Sequence, residues 1–488
     1  MNDLDLTLQL IGLTPEKNDR YSWGDLGNGR LFADIFKDKA RYVPERNKFF
    51  VFEGGVWRPD LDDLKVHELC KMLADALVVY ALSLDDEKSR RSYLDFVSKW
   101  QRRSYRETIV KDSASIYPVC VTKFDVYPFL FNCANGTLNL DDFSFSEHNP
   151  DDFLSKAANV VFNPEARCER WERHISEVML DDTAKSAYLQ KSFGYSLSGD
   201  TSQECFFILY GPSTRNGKGT TVETILHLMG DYGVSAKPET VMQKQSANSS
   251  GPSEDIARLA GARFVSMAEP DKRMVFNTSL VNTLTGNDTM TARYLHENSF
   301  KFKPLFKLFI NTNHLPAITD MTVFLSNRVR VIPFDRHFSE REQDKGLKAE
   351  LTNVGSLSGI LNWCLDGLRL IRETGFDSPE SVVAAVSEYR GNSDKLGRFI
   401  NEEMEVDSLA ETRTAEAYTR FKQWCAANGY RAENAANFKS SLNNVAEIVR
   451  KRPHGSGRSG EPTPMILGYR LKPDSDDFQQ ELPMCDDV

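Results

Sequence analysis

One stretch constrains the fold of this chain more than any other: residues 206–230, FFILYGPSTRNGKGTTVETILHLMG. Apolar residues run into a glycine-containing turn, and a helical pattern begins directly at Lys218. Backbone amides at such a turn and at the start of a helix converge on an anion, and the lysine adds a positive charge. The stretch therefore predicts a phosphate-binding loop between a strand at 205–210 and a helix at 218–229.

The spacing within this loop differs from the common G-x-x-x-x-G-K-[ST] pattern. Five residues separate Gly211 from Gly217, where the pattern has four, and Gly219 follows the lysine. The hydroxyl that usually holds Mg²⁺ must therefore come from Thr220 or Thr221, or be replaced by water. With ATP and Mg²⁺ as the expected cofactors, the predicted nucleotide-binding residues are Gly211, Pro212, Ser213, Thr214, Arg215, Asn216, Gly217, Lys218, Gly219, Thr220 and Thr221.

Three further segments follow the loop in the order expected of a nucleotide hydrolase. ARFVSMAEPDK is a short apolar strand that ends at Glu269, where a hydrolase places the carboxylate that orders Mg²⁺ and polarises water. FKLFINTNHLP ends at Asn313, whose amide can hold the attacking water or a phosphate. LSNRVRVIPF carries Arg328 and Arg330, one of which could reach a neighbouring subunit's nucleotide. The alternation of strands and helices over 205–334 favours an α/β layer with a largely parallel sheet.

These segments resemble the superfamily 3 helicase core of phage and plasmid primase-helicases and of the poxvirus-type primase-helicases. NCANGTLNL and YLQKSFGYSLSGD before the core, and YTRFKQWCAANG after it, extend the resemblance over roughly residues 40–472. It implies an AAA+-related ATPase core, a hexameric ring and ATP bound between subunits. Thr220 and Glu269 would hold the metal. The implied catalytic residues are Lys218 at the β- and γ-phosphates, Glu269 with Asp271 as a second acid, and Asn313 as the sensor. Arg328 is the implied arginine finger, supplied to a neighbouring subunit, with Arg330 as the runner-up.

One departure from the family leaves the water-activating group open. Many members have adjacent acids in the Walker B strand, whereas here Glu269 is followed by Pro270.

Two basic segments are candidates for DNA contact. TGNDTMTARYLHENSFKFKP (285–304) has a strand, turn, strand pattern, and in the family that it resembles this hairpin lines the pore and holds single-stranded DNA. A net charge of −10 repels a polyanion on average, so a ring must focus these cations on one axis. The segment RKRPHGSGRSG (450–460) is suited either to contact the phosphate backbone of duplex DNA or to dock against another protein. The predicted DNA-binding residues are Arg293, His296, Lys301, Lys303, Arg450, Lys451, Arg452 and Arg458.

The length and patterns of the chain indicate several domains. A chain of 488 residues exceeds what one core usually holds. Beyond Asp394, three amphipathic helices, a basic loop and the strand MILGYRLK form a winged-helix pattern. We expect a tail or adaptor at 1–28, an α+β N-terminal domain at 29–160, a helical collar at 161–200, the ATPase core at 201–345, a helical segment at 346–390, a C-terminal winged helix at 391–473 and an acidic tail at 474–488.

Composition argues against disulfide-rich, metal-cluster and membrane proteins. The eight cysteines are scattered without metal-ligand spacing, which favours reduced thiols in a cytosolic compartment. The N-terminus has acids where a signal peptide needs a basic leader, and the apolar run LADALVVYALSL is too short to span a bilayer. We therefore expect no membrane partner and a cytoplasmic location, and the resemblance to phage and plasmid helicases implies that the cytoplasm is that of a bacterial host.

Together these features predict an ATP-dependent replicative DNA helicase of a phage, prophage or plasmid. We expect a homohexamer that moves on single-stranded and forked DNA, 3′ to 5′ as the resemblance implies. The alternative is an origin-binding scaffold whose ring ATP assembles without processive unwinding. A primase-helicase in one chain is disfavoured because residues before 40 leave no room for a primase domain. A separate primase or replication protein is the expected partner.

Overall fold

The computed structural model describes residues 4, 7, 8, 11–14, 17–242, 254–268, 275–293, 299–316, 318, 321–428, 430, 432–443, 445–451 and 462–473. The chain divides into a larger unit, residues 1–317 and 322–385, and a smaller unit, residues 318–321 and 386–488. Among the helices of these described residues, none is long and apolar enough to cross a membrane. Five predicted site residues lie outside the described residues: Glu269, Asp271, His296, Arg452 and Arg458.

The larger unit begins with a helical layer and a small antiparallel sheet. The segment KFFVFEGGVW forms a hairpin, in which Phe52 pairs with Trp57 across a turn of two glycines. The elements are α1 (Asp25–Phe36), β1 (Ala40–Val43), β2 (Lys48–Glu53), β3 (Val56–Pro59), α2 (Leu64–Leu82), α3 (Glu87–Val97) and α4 (Arg103–Ser113).

The described residues of the segment expected to be a tail pack into this helical layer. Leu8 and Leu13 are fully buried in the same core as α2 and α3. Trp23 stacks on Phe96 of α3, with ring centroids 4.9 Å apart. These apolar residues are too irregularly spaced to form a helical period, so their burial depends on contacts with helices that follow later in the chain.

A second antiparallel sheet and two helices lead to the core. Within FLFNCANGTLNL, a two-residue turn of Ala134 and Asn135 joins the strands β4 and β5, and Cys133 pairs with Gly136. The elements are β4 (Leu130–Cys133), β5 (Gly136–Asn139), β6 (Phe145–Ser146), α5 (Glu169–Met179) and α6 (Thr183–Leu197).

The core is a five-stranded sheet in the order β13-β7-β12-β9-β8 with every pair parallel, which confirms the predicted parallel layer. The central strands Phe206–Tyr210, Lys307–Thr312 and Phe264–Met267 are buried along nearly their whole length, as is typical of parallel sheets that are covered on both faces. The elements are β7 (Phe206–Tyr210), α7 (Lys218–Met229), β8 (Gly233–Ala236), α8 (Glu254–Ala257), β9 (Phe264–Met267), α9 (Thr278–Thr285), β10 (Met290–Ala292), β11 (Phe300–Phe302), β12 (Lys307–Thr312), α10 (Thr322–Leu325), β13 (Val329–Pro333), α11 (Leu347–Leu351), α12 (Val354–Thr374) and α13 (Glu380–Ser393).

The smaller unit contains the three predicted helices and an antiparallel sheet in the order β14-β16-β15. The strand β14, MEVDSLAETR, was not predicted, because its apolar residues lack a regular alternation and two of them, Val406 and Leu409, are exposed. The elements are α14 (Lys395–Glu403), β14 (Met404–Arg413), α15 (Thr414–Ala427), α16 (Ala435–Leu442), β15 (Ile448–Lys451) and β16 (Thr463–Leu471).

Candidate functional site

The predicted phosphate-binding loop lies between β7 and α7, at the carboxyl edge of the parallel sheet. Gly217 precedes α7 with a φ of 84°, a left-handed conformation that favours glycine. A Cβ on Gly211 would lie 2.4 Å from Asn216 Nδ2 and 2.6 Å from the Phe334 carbonyl oxygen. Both glycines are therefore required by the local geometry, one by its backbone conformation and the other by close packing.

Lys218 is the first residue of α7, and only 3% of its surface is exposed. Its Nζ donates to the Gly211 carbonyl oxygen at 3.0 Å and to Asn313 Oδ1 at 2.8 Å. Asn313 follows β12, which pairs in parallel with β7, so the ends of both strands meet at one edge. The structure thus brings together the predicted phosphate-binding lysine and the predicted sensor amide. A buried ammonium beside a glycine loop and a helix N-terminus suits an anionic ligand.

The two candidate hydroxyls differ in their surroundings. Thr221 is fully buried, and its hydroxyl donates to the Gly217 carbonyl oxygen at 3.1 Å. The same Oγ1 lies 2.9 Å from His174 Nε2. Thr220 is half-buried on the first turn of α7. Since Thr221 is already engaged inside the protein, Thr220 is the better placed of the two to hold a metal.

His174 was not predicted as part of the site. It lies on α5, is 2% exposed, and burial lowers the pKa of its imidazole to about 4, so the ring is neutral at pH 7. The same helix packs directly on the loop, because a Cβ on Gly217 would lie 2.4 Å from Val178 Cγ1. The sequence signal was the apolar stripe of α5, with Trp171, His174, Ile175 and Val178 at helical spacing.

The chain beyond β13 supports the outer side of the loop. Phe338 N donates to the Arg215 carbonyl oxygen at 2.8 Å, and His337 Nδ1 lies 2.8 Å from the Thr214 carbonyl oxygen. Neither residue was predicted, because no local pattern links the segment after β13 to a loop more than a hundred residues earlier.

The two candidate finger arginines lie away from Lys218 of the same chain. Arg328 precedes β13, whose first residue pairs with the first residue of β7, so it lies at the opposite edge of the sheet from the loop. A five-residue strand separates the edges by about 15 Å. Arg328 forms a salt bridge of 2.5 Å with Glu204 and donates to Thr285 Oγ1 at 3.1 Å. Arg330 donates to Ser378 Oγ at 3.0 Å.

The predicted DNA hairpin is shorter than expected. Residues up to Thr285 belong to α9, and the paired strands are β10 and β11, with Thr291 opposite Lys301. Lys301 and Lys303 are exposed and two residues apart, whereas Arg293 is half-buried just after β10. The correction arises because α9 ends at Thr285 and a turn follows at Gly286 and Asn287, so the paired strand begins only at Met290.

In the smaller unit, two residues predicted to lie on a flexible basic loop belong to a strand. Arg450 and Lys451 are exposed residues of β15, opposite Pro464 and Thr463 of β16. Lys451 Nζ forms a salt bridge of 2.6 Å with Glu411. Arg450 is therefore the better placed of the two to contact a ligand.

Comparison with known families supports the resemblance seen in the sequence. Residues 29–180 match the family model described as D5 N terminal like, and residues 392–461 match the model described as Poxvirus D5 protein-like. The predicted resemblance to the poxvirus-type primase-helicases is confirmed by these two matches.

The curated relatives come from large DNA viruses. A protein named "Putative helicase" from Acanthamoeba polyphaga mimivirus is 26% identical over 372 residues, covering 70% of this chain and 38% of that protein. A second protein, from Frog virus 3, is also named as a putative helicase and is 25% identical over 341 residues, covering 65% of this chain and 32% of that protein. The chain therefore spans about a third of the length of the curated relatives it matches.

Among solved structures, the apo structure of the NrS-1 C terminal region aligns with 90% of this chain and 98% of its own length. The TM-score is 0.48 and the sequence identity is 11%.

Proposed function

We propose that this chain is the ATP-driven motor of a DNA helicase. The observation that carries the proposal is the buried Lys218 ammonium, which lies 2.8 Å from Asn313 Oδ1 at the carboxyl edge of the parallel sheet. The cation is the first residue of α7 and the amide directly follows β12, and together at this edge they are suited to the terminal phosphates of ATP. The relatives named as helicases support the same activity.

Each residue of the site has a defined part in this proposal. Lys218 binds the β- and γ-phosphates, and the amides of the Gly211–Gly217 loop bind the remaining phosphate oxygens. Asn313 orients the attacking water, and Thr220, with Glu269, holds Mg²⁺. The metal supplies charge neutralisation on the phosphate oxygens when it is bound.

The proposed assembly is a homohexameric ring that translocates 3′ to 5′ on single-stranded DNA. Arg328, at the sheet edge opposite the loop, would complete the nucleotide site of a neighbouring subunit, with Arg330 as the alternative. The hairpin lysines Lys301 and Lys303 would hold the strand. In the smaller unit a helix, a strand, two helices and two further strands follow one another. This order supports a winged helix, which would contact DNA through Arg450 and Lys451. A separate primase or replication protein would be the partner.

The proposal is tested by measuring ATP hydrolysis and strand displacement on a forked substrate. We expect Lys218→Ala to lower both by about 10²-fold or more, because a preorganised cation at the transferred phosphate is lost. Lys88→Ala is the control, since Lys88 is an exposed residue of α3. Normal turnover in Lys218→Ala would reject the site.

The same assay separates the helicase from the scaffold alternative. Wild-type protein that hydrolyses ATP and assembles on DNA, but releases no strand, would favour the scaffold over the helicase.

A further inference from the structure

A second concave site lies in the larger unit, apart from the phosphate-binding loop. A cleft of about 750 Å³ opens between the sheet β1-β2-β3 and the hairpin β10–β11. One wall comes from the region that matches the D5 N terminal like model, and the other comes from the hairpin of the core. The basic residues that line it are Arg46, Lys48, Arg58, Lys156, Lys301 and Lys303.

The cleft concentrates positive charge in a chain whose net charge is −10. Six cations face two acids, Asp125 and Asp231, so the lining carries a net charge of +4. Asp231 is paired with Arg58 at 2.8 Å. Asp125 accepts hydrogen bonds from the Ser155 amide at 2.8 Å and from the Ser155 hydroxyl, and burial raises the pKa of its carboxyl. A concave surface with this balance attracts a polyanion.

Aromatic rings lie among these cations. Phe124, Phe300 and Phe302 line the cleft, and each is half-buried. The Arg46 guanidinium lies 4.9 Å from the centroid of the Phe300 ring, which joins the two walls of the cleft. Partly exposed rings beside cations are the combination that binds single-stranded nucleic acid, since bases stack on the rings while the cations hold phosphates.

We infer that this cleft binds a single strand of DNA and delivers it to the hairpin. A volume of about 750 Å³ accepts a few nucleotides of one strand. Lys301 and Lys303 would then contact the strand from one side, while Lys48 and Lys156 contact it from the other. The inference rests on the proposed helicase function and adds a DNA contact outside the ATPase core.

The first test compares two double variants in the full-length protein. Lys48→Ala/Lys156→Ala removes two cations from the cleft, and Lys88→Ala/Lys99→Ala removes two exposed lysines from the helical layer. Binding of a fluorescent oligo-dT strand is measured by anisotropy over a salt series without nucleotide. We expect roughly tenfold weaker binding for the cleft variant, and a salt dependence shallower by about 0.7 per lysine removed.

Equal affinity and equal salt dependence in the two double variants would overturn the inference. If the double cleft variant does not fold, the single variant Lys48→Ala replaces it, because Lys48 is exposed. The expected change in salt dependence is then about half as large. Because binding is measured without ATP, the test can support DNA binding by the cleft even if the protein does not hydrolyse ATP. Conversely, if the wild type is an active helicase and its cleft variant binds DNA normally, only the inference about the cleft is overturned.

A second test locates the strand. An oligo-dT strand with 5-iodouracil is cross-linked by light, and the attachment sites are mapped by mass spectrometry. We expect adducts on Phe124, Phe300 or Phe302, and adducts found only elsewhere would overturn the inference. Tighter binding of oligo-rU would assign the cleft to RNA instead. Binding of a synthetic peptide of the acidic segment 474–488, with no binding of oligo-dT, would assign it to a peptide.

Discussion

The side chain of Lys218 is held in place by hydrogen bonds within the protein. A buried ammonium is costly unless its donors are satisfied, and here the Gly211 carbonyl and the Asn313 amide oxygen satisfy two of them. Thr221 is similarly satisfied by Gly217 and His174. The side chains beneath the loop are therefore hydrogen-bonded to the loop and to one another. These bonds fix the conformation of the loop without a bound ligand.

At the residue scale, we predict a pH-dependent stability that comes from His174. Its folded pKa of about 4 lies below the ordinary 6.5, so the unfolded chain binds a proton that the folded chain excludes. As pH falls from 6.5 towards 4, the free energy of unfolding therefore falls by up to about 1.4 kcal/mol per pH unit. His174→Gln removes this contribution, because its amide can replace the Nε2 contact without titrating.

Thermal unfolding at pH 7 and pH 5 checks this prediction. The midpoint of wild type should fall further on acidification than that of His174→Gln. An identical fall in both proteins would show that another group carries the acid sensitivity.

At the scale of elements, the short hairpin depends on its neighbours. The strands β10 and β11 pair over only three residues each, too few for independent stability. Arg46, just before β2, lies against Phe300 and ties the hairpin to the first sheet. A hairpin held in this way keeps Lys301 and Lys303 at a defined position relative to the sheet.

We therefore predict that Lys301→Ala/Lys303→Ala lowers strand displacement more than it lowers ATP hydrolysis measured without DNA. The reason is that phosphate contacts are lost while the nucleotide loop is untouched. Lys37→Ala/Lys39→Ala is the matched control, with two exposed lysines at the same spacing. Displacement on a forked substrate is the measurement, and equal displacement in the two variants would contradict a role in translocation.

At the scale of the whole molecule, the separation of Arg328 from Lys218 bears on assembly. These residues lie at opposite edges of one sheet, so a shared nucleotide would need two copies of the chain. Arg328 has two possible roles: an arginine finger for a neighbouring subunit, or a purely structural residue. The structural role is supported by its salt bridge with Glu204 and its contact with Thr285.

Two variants separate these interpretations. If Arg328 acts on a neighbour's nucleotide, Arg328→Ala should lower turnover by roughly 10³-fold. Glu204→Gln, which breaks the same ion pair but keeps the arginine, should retain most of it. Mixing Arg328→Ala with Lys218→Ala protein should restore part of the activity, since one interface then has both residues. No recovery, together with equal losses in Arg328→Ala and Glu204→Gln, would assign Arg328 a purely structural part.

The sequence by itself determined the local elements and the positions of Lys218 and Asn313 in the candidate site. Apolar strands, a glycine turn and helical periods specified β7, the loop and α7, and the alternation of elements specified a parallel sheet. Because parallel strands end at one edge, the positions of Lys218 and Asn313 after their strands already implied that they would meet. Local backbone preferences and periodicity are sufficient for such predictions.

Only the tertiary structure decided which distant side chains meet. His174 reaches Thr221 across 47 residues of chain, Arg328 reaches Glu204 across 124, and the basic cleft combines residues of the first sheet with residues of the hairpin. The exposed strand β14 likewise forms because β16 supplies its hydrogen bonds. Such contacts have no period in the sequence, since they depend on how complete elements pack rather than on the residues within any one of them.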